Sequence, residues 1–302
     1  MLRLIITLAF ATLAGMELAY QPPEARQAAI PASFASLWHS IFLPGSQPPA
    51  ALSPLPASPS LEGFTPEQRR RADQIISAFE NNTNILEYGY TEELHDGRGL
   101  TAGRAGFTTA TGDLIVVVQR YTARSPQSPL TRYLPRLKQV AATMDASLEG
   151  LDGLAEDWKQ AAKDPTFRAV QDEVVEDLYY RPAVKYWKAL GLKTPLGLLI
   201  LYDTIIQHGD DNDPDGLPAL IRRTIERAGG APGADLPESE WLALFLQTRR
   251  EDLAHSFDAD SRAVWAESVS RCDILSDLLR KENYGLRGSL TIRPYDVWVT
   301  IE

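Results

Sequence analysis

The sequence predicts a mainly α-helical fold with one small β-sheet. From residue 63 onward, apolar side chains recur at the three- and four-residue spacing of helices that bury one face. The exception is the stretch from 92 to 109, where frequent glycines and short apolar runs favour strands and tight turns. With 44% hydrophobic and 23% charged residues among 302, the composition is that of a folded globular protein with enough chain to bury a core.

The first helix is expected to begin after Thr65 and to end near residues 80–82. The run Thr65-Pro66-Glu67-Gln68 combines an N-cap residue, proline at the first helical position and a capping-box partner. The run from Leu114 to Gln119 is compatible with either state, because its β-branched residues favour strand while its flanks permit helix. Further helical segments are expected at about 131–144, 154–163, 166–190, 194–208, 217–228, 239–256 and 259–281.

Two N-terminal segments are predicted to precede the folded part. In residues 1–20, Arg3 is followed by an apolar run far shorter than the ~20 residues of a membrane helix, which is typical of a secretory signal peptide. Residues 21–62 are rich in proline, alanine and serine, which favours an extended linker. The catalytic domain is therefore expected to span 63–302. A secreted or periplasmic protein is expected, with no stable membrane association after signal removal.

Charge and cysteine content exclude several classes of function. The formal net charge of −10 argues against nucleic acid as a partner and favours a cationic ligand. The single cysteine, Cys272, excludes an intramolecular disulfide and a cysteine-based zinc cluster. The four histidines show no HExxH spacing, so we expect neither a metal nor a cofactor.

Three short motifs are misleading in this chain. The run 97–102 matches a G-x-G-x-x-A dinucleotide fingerprint, but no buried strand precedes it. The run 211–216 resembles the start of an EF-hand loop, but Arg222 stands where a bidentate carboxylate is required, so a solvated acidic turn is the better interpretation. A Ser-His-Asp triad lacks the G-x-S-x-G elbow that would support it.

A pair of carboxylates is the strongest chemical signal. Glu80 lies at the C-terminal end of an amphipathic helix, where apolar neighbours and the helix dipole both raise a carboxyl pKa. Asp96 opens the turn Asp-Gly-Arg-Gly, where Arg98 favours its ionised form. Two carboxylates in opposed environments are the apparatus of glycoside hydrolysis, although each position is also a common structural choice.

Longer runs of the chain resemble one family. The run beginning at Glu80, the stretch 88–103 (YGYTEELHDGRGLTAG) and the stretch 106–113 (GFTTATGD) are similar to the family-46 glycoside hydrolases, the chitosanases. The similarity continues through 157–164, 181–184, 201–203 and 208–214, and it spans roughly residues 63–302. Ordered matches over such a length are more specific than any single short motif.

The resemblance implies an inverting endo-hydrolase of β-1,4 links in chitosan, with two mostly helical lobes and a lysozyme-like cleft. It implies that Glu80 is the general acid, that Asp96 is the general base, and that Thr101 helps to hold the attacking water. Substrate subsites are expected to contain Asn82, Tyr90, Glu93, Arg98, Asp113 and His255. A supporting network, for which a structural role is favoured, is expected to contain Asp203, Arg249, Arg262 and Trp158. The expected partner of this monomer is the cationic polysaccharide itself.

Several features leave alternatives open. His95 stands where a small residue often precedes the catalytic aspartate, and Arg293 stands where an acidic residue is often found. For His255, a solvated helix position is an equal alternative to a subsite role. A related hydrolase acting on peptidoglycan or partly acetylated chitin, and a non-catalytic polysaccharide-binding protein, are the two competing hypotheses.

Overall fold

The computed structural model describes residues 63–93, 97–256 and 262–302, and of residues 262–264 it describes the backbone only. The expected signal peptide and Pro-rich linker lie outside the described residues, as do His95, Asp96 and the side chain of Arg262.

The first helix, α1 (Pro66–Asn81), starts as its sequence predicts. The Thr65 hydroxyl accepts a hydrogen bond from the Gln68 amide, and the Gln68 side chain accepts one from the Thr65 amide. Such a capping box satisfies two amides that the helix itself leaves without partners. The buried face carries mostly apolar residues and ends in Glu80. Asn82 then closes the helix in the left-handed conformation, with φ of 55°.

The remaining helices occupy most of the segments with helical periodicity. They are α2 (Asp113–Arg124), α3 (Leu134–Thr143), α4 (Leu154–Ala161), α5 (Pro165–Val175), α6 (Arg181–Ala189), α7 (Pro195–His208), α8 (Leu217–Ala228), α9 (Glu238–Ala254), α10 (Arg262–Glu267) and α11 (Val269–Arg280). The ambiguous run from Leu114 to Gln119 lies in α2 and is helical. The segment expected at 259–281 is divided at Ser268.

Two small antiparallel sheets accompany the helices. Strands β1 (Thr91–Glu93), β2 (Leu100–Ala102) and β3 (Phe107–Thr108) form the sheet expected in the Gly-rich stretch. A second sheet of β4 (Leu290–Ile292) and β5 (Val299–Ile301) was not predicted, because its strands are too short for alternation to stand out.

The helices form two lobes. Around the first sheet, α2 packs against α3 and α5, and α4 packs against β1 and β2. In the other lobe α9 packs against α8 and α11, and α7 is buried along almost its whole length. Helix α1 contacts both α7 and β5. This two-lobed, mainly helical architecture is lysozyme-like, with the cleft between the lobes. Within the described ranges, every helix falls short of the length and hydrophobicity needed to cross a bilayer.

Candidate active site

The candidate site is centred on Glu80, in the last turn of α1. Its side chain is 2% exposed, and its Oε1 accepts a hydrogen bond from the Arg271 guanidinium on α11. Its Oε2 is also buried and makes no hydrogen bond to any described residue. Burial raises the pKa of Glu80 and exceeds the opposing effect of Arg271. The geometry therefore holds a carboxyl group by one oxygen and leaves the other without a described partner, in surroundings that favour the protonated form.

A fully buried ionic network supports Glu80 from behind. Arg271 Nη1 lies 3.5 Å from Asp203 Oδ1, and Arg249 Nη1 donates to Asp203 Oδ2 at 2.6 Å. Arg249 also donates through Nε to His208 Nε2 at 3.2 Å. Since this nitrogen accepts, the His208 proton resides on Nδ1, which donates to the Asp215 carbonyl at 2.9 Å. Two guanidinium groups thus face Asp203 and Glu80, and the charges of the network balance when Glu80 is ionised.

The structure places Asp203 and Arg249, two residues that the resemblance assigned to a supporting network, in this cluster. The second arginine of the described network is Arg271, which the sequence analysis missed. Its contact with Glu80 joins residues 191 positions apart, so no local pattern indicates it. The one sequence feature that could have indicated Arg271 is an arginine on the apolar face of an amphipathic helix. The chain has many arginines on such helices, so this feature does not single out Arg271.

The first sheet forms the other wall of the site. Arg98 is buried in the turn between β1 and β2, and its positive charge acts on Glu80 to lower that group's pKa. Thr101, at the centre of β2, is fully buried, and its hydroxyl makes no hydrogen bond to a described residue. Buried hydroxyls in such positions are commonly satisfied by water. Glu93 lies exposed at the end of β1, and the Tyr90 hydroxyl donates to Glu92.

Asp113 lies deeper than a simple subsite residue. Its Oδ1 accepts hydrogen bonds at 2.8 Å from the amides of Thr108 and Leu114 and from the Thr111 hydroxyl. Its Oδ2 accepts one from the Tyr179 hydroxyl at 3.1 Å and retains room for a further donor. The carboxylate therefore organises the junction of β3 and α2 while one oxygen is free to meet an additional hydrogen-bond donor.

Tyr179 links this junction to Glu80, and sequence reasoning also missed it. It lies in a π-helical turn, Glu176–Tyr180, between α5 and α6. Burial raises the pKa of Tyr179, and the negative charges of Asp113 and Glu80 add to the effect. Single π turns change the direction of side chains and recur at functional sites. The apolar residues keep a continuous helical spacing through this turn, so no pattern in the sequence indicates the π-helical geometry.

Trp158 supports the sheet wall rather than facing substrate. It is fully buried and donates through Nε1 to the Tyr88 carbonyl at 3.0 Å, and Gln171 donates to the same carbonyl at 2.9 Å. A side chain at Gly103 would approach Trp158 to 2.9 Å, and φ there is +76°. The close approach of the turn to Trp158 thus requires glycine.

Two predicted subsite residues occupy different settings. Asn82 directly follows α1, two residues after Glu80, and its Oδ1 is buried without a hydrogen bond to a described residue. His255 is exposed at the end of α9, where its Nδ1 lies 3.2 Å from the Glu251 carbonyl. It lines a cavity of about 430 Å³ with Arg223, Asp252 and neighbours on α8 and α9. No other predicted subsite residue lines that cavity, so the structure does not bring His255 together with them.

The described residues contain no group of three or more His, Cys, Asp or Glu side chains arranged to hold a metal ion. The lone cysteine, Cys272, is buried, and burial raises the pKa of its thiol to about 11.

A buried, half-satisfied carboxyl group at a cleft between two helical lobes defines a class, that of lysozyme-like hydrolases. Residues 74–290 match the model of glycosyl hydrolase family 46, and the chain belongs to that family. A chitosanase of Bacillus subtilis (strain 168) is 47% identical over 231 residues, which covers 76% of this chain and 83% of the relative.

Solved structures agree with this assignment. A family-46 chitosanase of Gynuella sunshinyii in complex with chitotetraose is 47% identical, with a TM-score of 0.76, over 79% of this chain and 99% of that one. The native chitosanase of Bacillus subtilis MY002 is 46% identical, with a TM-score of 0.76, over 80% of this chain and 100% of that one.

Proposed function

We propose that this protein is an exported, endo-acting chitosanase that cleaves β-1,4 links of chitosan with inversion. The observation that carries the proposal is the state of Glu80: buried, raised in pKa, held through Oε1 by Arg271 and unpartnered at Oε2 among the described residues. A general acid needs this combination, because it must keep its proton near neutral pH and still present it to a leaving group. Family membership and the named relatives support the choice of substrate.

In the proposed mechanism Glu80 Oε2 donates its proton to the glycosidic oxygen as the bond breaks. Asp96 removes a proton from a water molecule on the opposite face of the sugar, and the Thr101 hydroxyl helps to hold that water. Inverting enzymes keep the two carboxyl groups ~6.5–9.5 Å apart to make room for this water. The glycines that flank Arg98 have φ of +82° and +75°. Glycine adopts this left-handed conformation without steric cost, so the backbone that follows Asp96 can turn sharply at these two positions.

Acidic residues explain the choice of a cationic polymer. Glu93 is exposed at the sheet wall, and the chain carries a net charge of −10. Glucosamine units are ammonium ions below their pKa, so a negative cleft both attracts the polymer and distinguishes it from neutral chitin.

The test is digestion of fully deacetylated chitosan by the full chain, with early products analysed by mass spectrometry and by NMR of the new reducing ends. We expect oligomers of intermediate length carrying the α-anomer. Early β-anomer would contradict inversion, and release of single sugar units would contradict endo action. Cleavage of chitin or peptidoglycan instead of chitosan would favour the related wall hydrolase, and binding without products would favour a non-catalytic protein.

Export is tested separately by expressing the full chain in a bacterial host. The proposal expects the protein outside the cytoplasm, with an N-terminus shortened within the first ~30 residues. Retention of the intact chain in the cytoplasm would contradict it without affecting the catalytic assignment.

A further inference from the structure

An exposed apolar patch lies on two adjoining segments beside the site. Among the described residues, the large hydrophobic side chains that are most exposed are Trp298 at 67%, Ile85 at 65% and Val297 at 42%. The segments that carry them are joined by a hydrogen bond from the Asn84 side chain to the Thr300 carbonyl at 2.8 Å. An indole ring exposed to this degree is uncommon, and clustered exposed hydrophobic residues mark binding surfaces.

Both segments adjoin the elements that hold Glu80 and Arg271. The first follows α1, where the Ser77 hydroxyl donates to the Ile85 carbonyl at 2.7 Å and the Ile85 side chain is exposed. The second contains the turn 294–296, which packs against α11, the helix that carries Arg271. The exposed side chains therefore lie on segments next to the proposed catalytic acid.

The backbone between Tyr295 and Trp298 is held in a strained turn. Tyr295 and Asp296 are consecutive non-glycine residues with φ of 46° and 67°. Such conformations are costly and persist where a function or tight packing requires them. The turn places Tyr295 against the buried network and leaves Trp298 on the solvent side, where it precedes the inward-facing Val299.

An arginine–aspartate pair lies beside the indole ring. The Arg293 guanidinium lies 5.4 Å from the centroid of the Trp298 ring, and it pairs with Asp296 at 3.0 Å. The arginine braces the ring through a cation–π contact, and the aspartate balances its charge. A sugar that binds here meets an aromatic face and a neutral pair rather than the carboxylates of the cleft.

We infer that Trp298 is a stacking platform for a sugar ring of the same polysaccharide, in an outer subsite that binds glucosamine and N-acetylglucosamine alike. The C–H face of a pyranose packs on an indole ring as other apolar surfaces do, and this contact does not depend on the ammonium group. The inference rests on the proposed function. It adds a subsite whose selectivity differs from that of the acidic cleft.

The kinetic test compares Trp298→Ala with the unmodified full chain on oligomers of increasing length. Loss of one aromatic contact is expected to raise KM about 3- to 10-fold on long chains, with kcat within about twofold. The effect should vanish on the shortest oligomer that is cleaved, because that oligomer cannot reach the platform. It should be equal for deacetylated and partly acetylated oligomers. Leu178→Ala, which removes an exposed hydrophobic side chain far along the sequence, should change neither constant.

A binding test reads out Trp298 directly. Trp158, Trp241 and Trp265 are almost fully buried and Trp187 is partly buried, so among the described tryptophans Trp298 is the one most open to quenching of its fluorescence by acrylamide. In full-length Glu80→Gln protein, chitohexaose should lower the quenchable fraction. The same titration with Trp298→Phe added should show no such change, which separates Trp298 from tryptophans outside the described ranges.

The outcomes separate the two proposals. If the unmodified chain neither cleaves nor binds chitosan, the proposed function is wrong. If it cleaves chitosan and Glu80→Gln protein binds chitohexaose while Trp298 stays equally quenchable, only the platform is wrong. A Trp298 ring already protected before sugar is added would show that another part of the chain covers it, and this too would overturn the platform. A length-dependent loss confined to deacetylated oligomers would overturn the neutral subsite.

Discussion

Helix α1 carries two largely buried carboxylates, Asp73 and Glu80, that lie two turns apart on one side of the helix. Asp73 is saturated: its Oδ1 accepts from the Tyr202 hydroxyl at 3.0 Å and lies 3.1 Å from Arg104 Nη2, and its Oδ2 accepts from Arg69 Nε at 3.1 Å. Glu80 is engaged at one oxygen only.

The difference separates a carboxylate that holds the fold from one that performs chemistry. Around Asp73, arginines from α1 and from the turn after β2 also reach Glu176 and Asp172, so this cluster ties the sheet to the helices. Around Glu80, the arginine fixes one oxygen, and the other oxygen is buried without a described partner. A full set of hydrogen-bond donors stabilises a buried negative charge, whereas a carboxyl group that lacks some of those donors keeps a raised pKa.

The largest effect is expected for Glu80→Gln. Glutamine keeps an oxygen that accepts from Arg271 but has no acidic proton to donate, so the initial rate on chitosan should fall about 10²–10⁴-fold. The melting temperature should change little, because burial favours the neutral form of Glu80, and glutamine is a neutral side chain of the same shape that keeps an oxygen for Arg271. Rates and melting temperatures are measured together, with Glu87→Gln as the matched control. Near-normal turnover by Glu80→Gln would refute the acid assignment.

Asp73→Asn should lower the stability of the protein and leave its activity nearly unchanged. Removing this charge leaves Arg69 and Arg104 each short of a buried partner, which should lower the free energy of unfolding by about 2–4 kcal/mol. Below the unfolding transition, kcat on chitosan should stay within about twofold. Urea denaturation and initial rates provide the measurements. The exposed Asp277→Asn should cost less than ~0.5 kcal/mol. A variant that is stable but inactive would contradict the structural role of Asp73.

Local signals made part of this arrangement predictable. The capping box at Thr65 and the apolar spacing of α1 located the helix, and hence placed Glu80 at its buried end. The Gly-rich stretch located the first sheet and the turn that carries Arg98. Each of these features depends on neighbours within a few residues.

The contacts between residues far apart in the chain could not be predicted from the sequence. Nothing local distinguishes Arg271 from other helix arginines, and the π turn that carries Tyr179 has ordinary helical periodicity. Strands β4 and β5 have three residues each, too few for alternation to be recognised. Asp96 remains a prediction from the resemblance, because it lies outside the described residues.

Arg271→Lys should weaken the hold on Glu80 without removing the charge. A lysine ammonium cannot bridge Glu80 and Asp203 as the guanidinium does, so kcat should fall about tenfold. Arg271 lowers the pKa of Glu80, so a weaker contact raises that pKa and the acid form persists to higher pH. The alkaline limb of the pH profile should therefore move upward.

Full pH profiles of kcat/KM measure this effect. Arg250→Lys, which alters an exposed arginine paired with Asp273 at 2.8 Å, is the control and should leave the profile in place. An alkaline limb that moves to lower pH in Arg271→Lys would contradict the proposed contact, whatever the change in kcat.

Asp252 tests whether a buried carboxyl group with one oxygen lacking a hydrogen bond is, on that ground alone, a catalytic group. Like Glu80 it is buried, with one oxygen paired to an arginine, Arg223, and the other without a hydrogen bond to a described residue. Burial raises its pKa to about 7. Its surroundings differ, because it faces a cavity lined by residues of α8 and α9 and meets the network behind Glu80 at His208, whose Nδ1 lies 3.6 Å from Asp252 Oδ2. Asp252→Asn should therefore leave turnover of chitosan within about twofold of normal.

The effect of Asp252→Asn should appear in the pH dependence of stability. A folded-state pKa near 7 against an unfolded value of 3.8 means that protonated Asp252 contributes stability that is complete below pH 3.8 and lost as pH rises through 7. Asparagine has no such titration, so the variant should gain about 2 kcal/mol relative to the unmodified chain between pH 5 and pH 8. Urea denaturation at the two pH values measures the gain. Glu251→Gln should show no such gain, because pairing with Arg227 lowers the pKa of Glu251.

Loss of chitosan turnover in Asp252→Asn would contradict the assignment of Asp252 to a non-catalytic role. It would mean that a buried carboxyl group with one unpaired oxygen is catalytic at both positions, and the contrast between Asp73 and Glu80 would then apply to Asp252 as well.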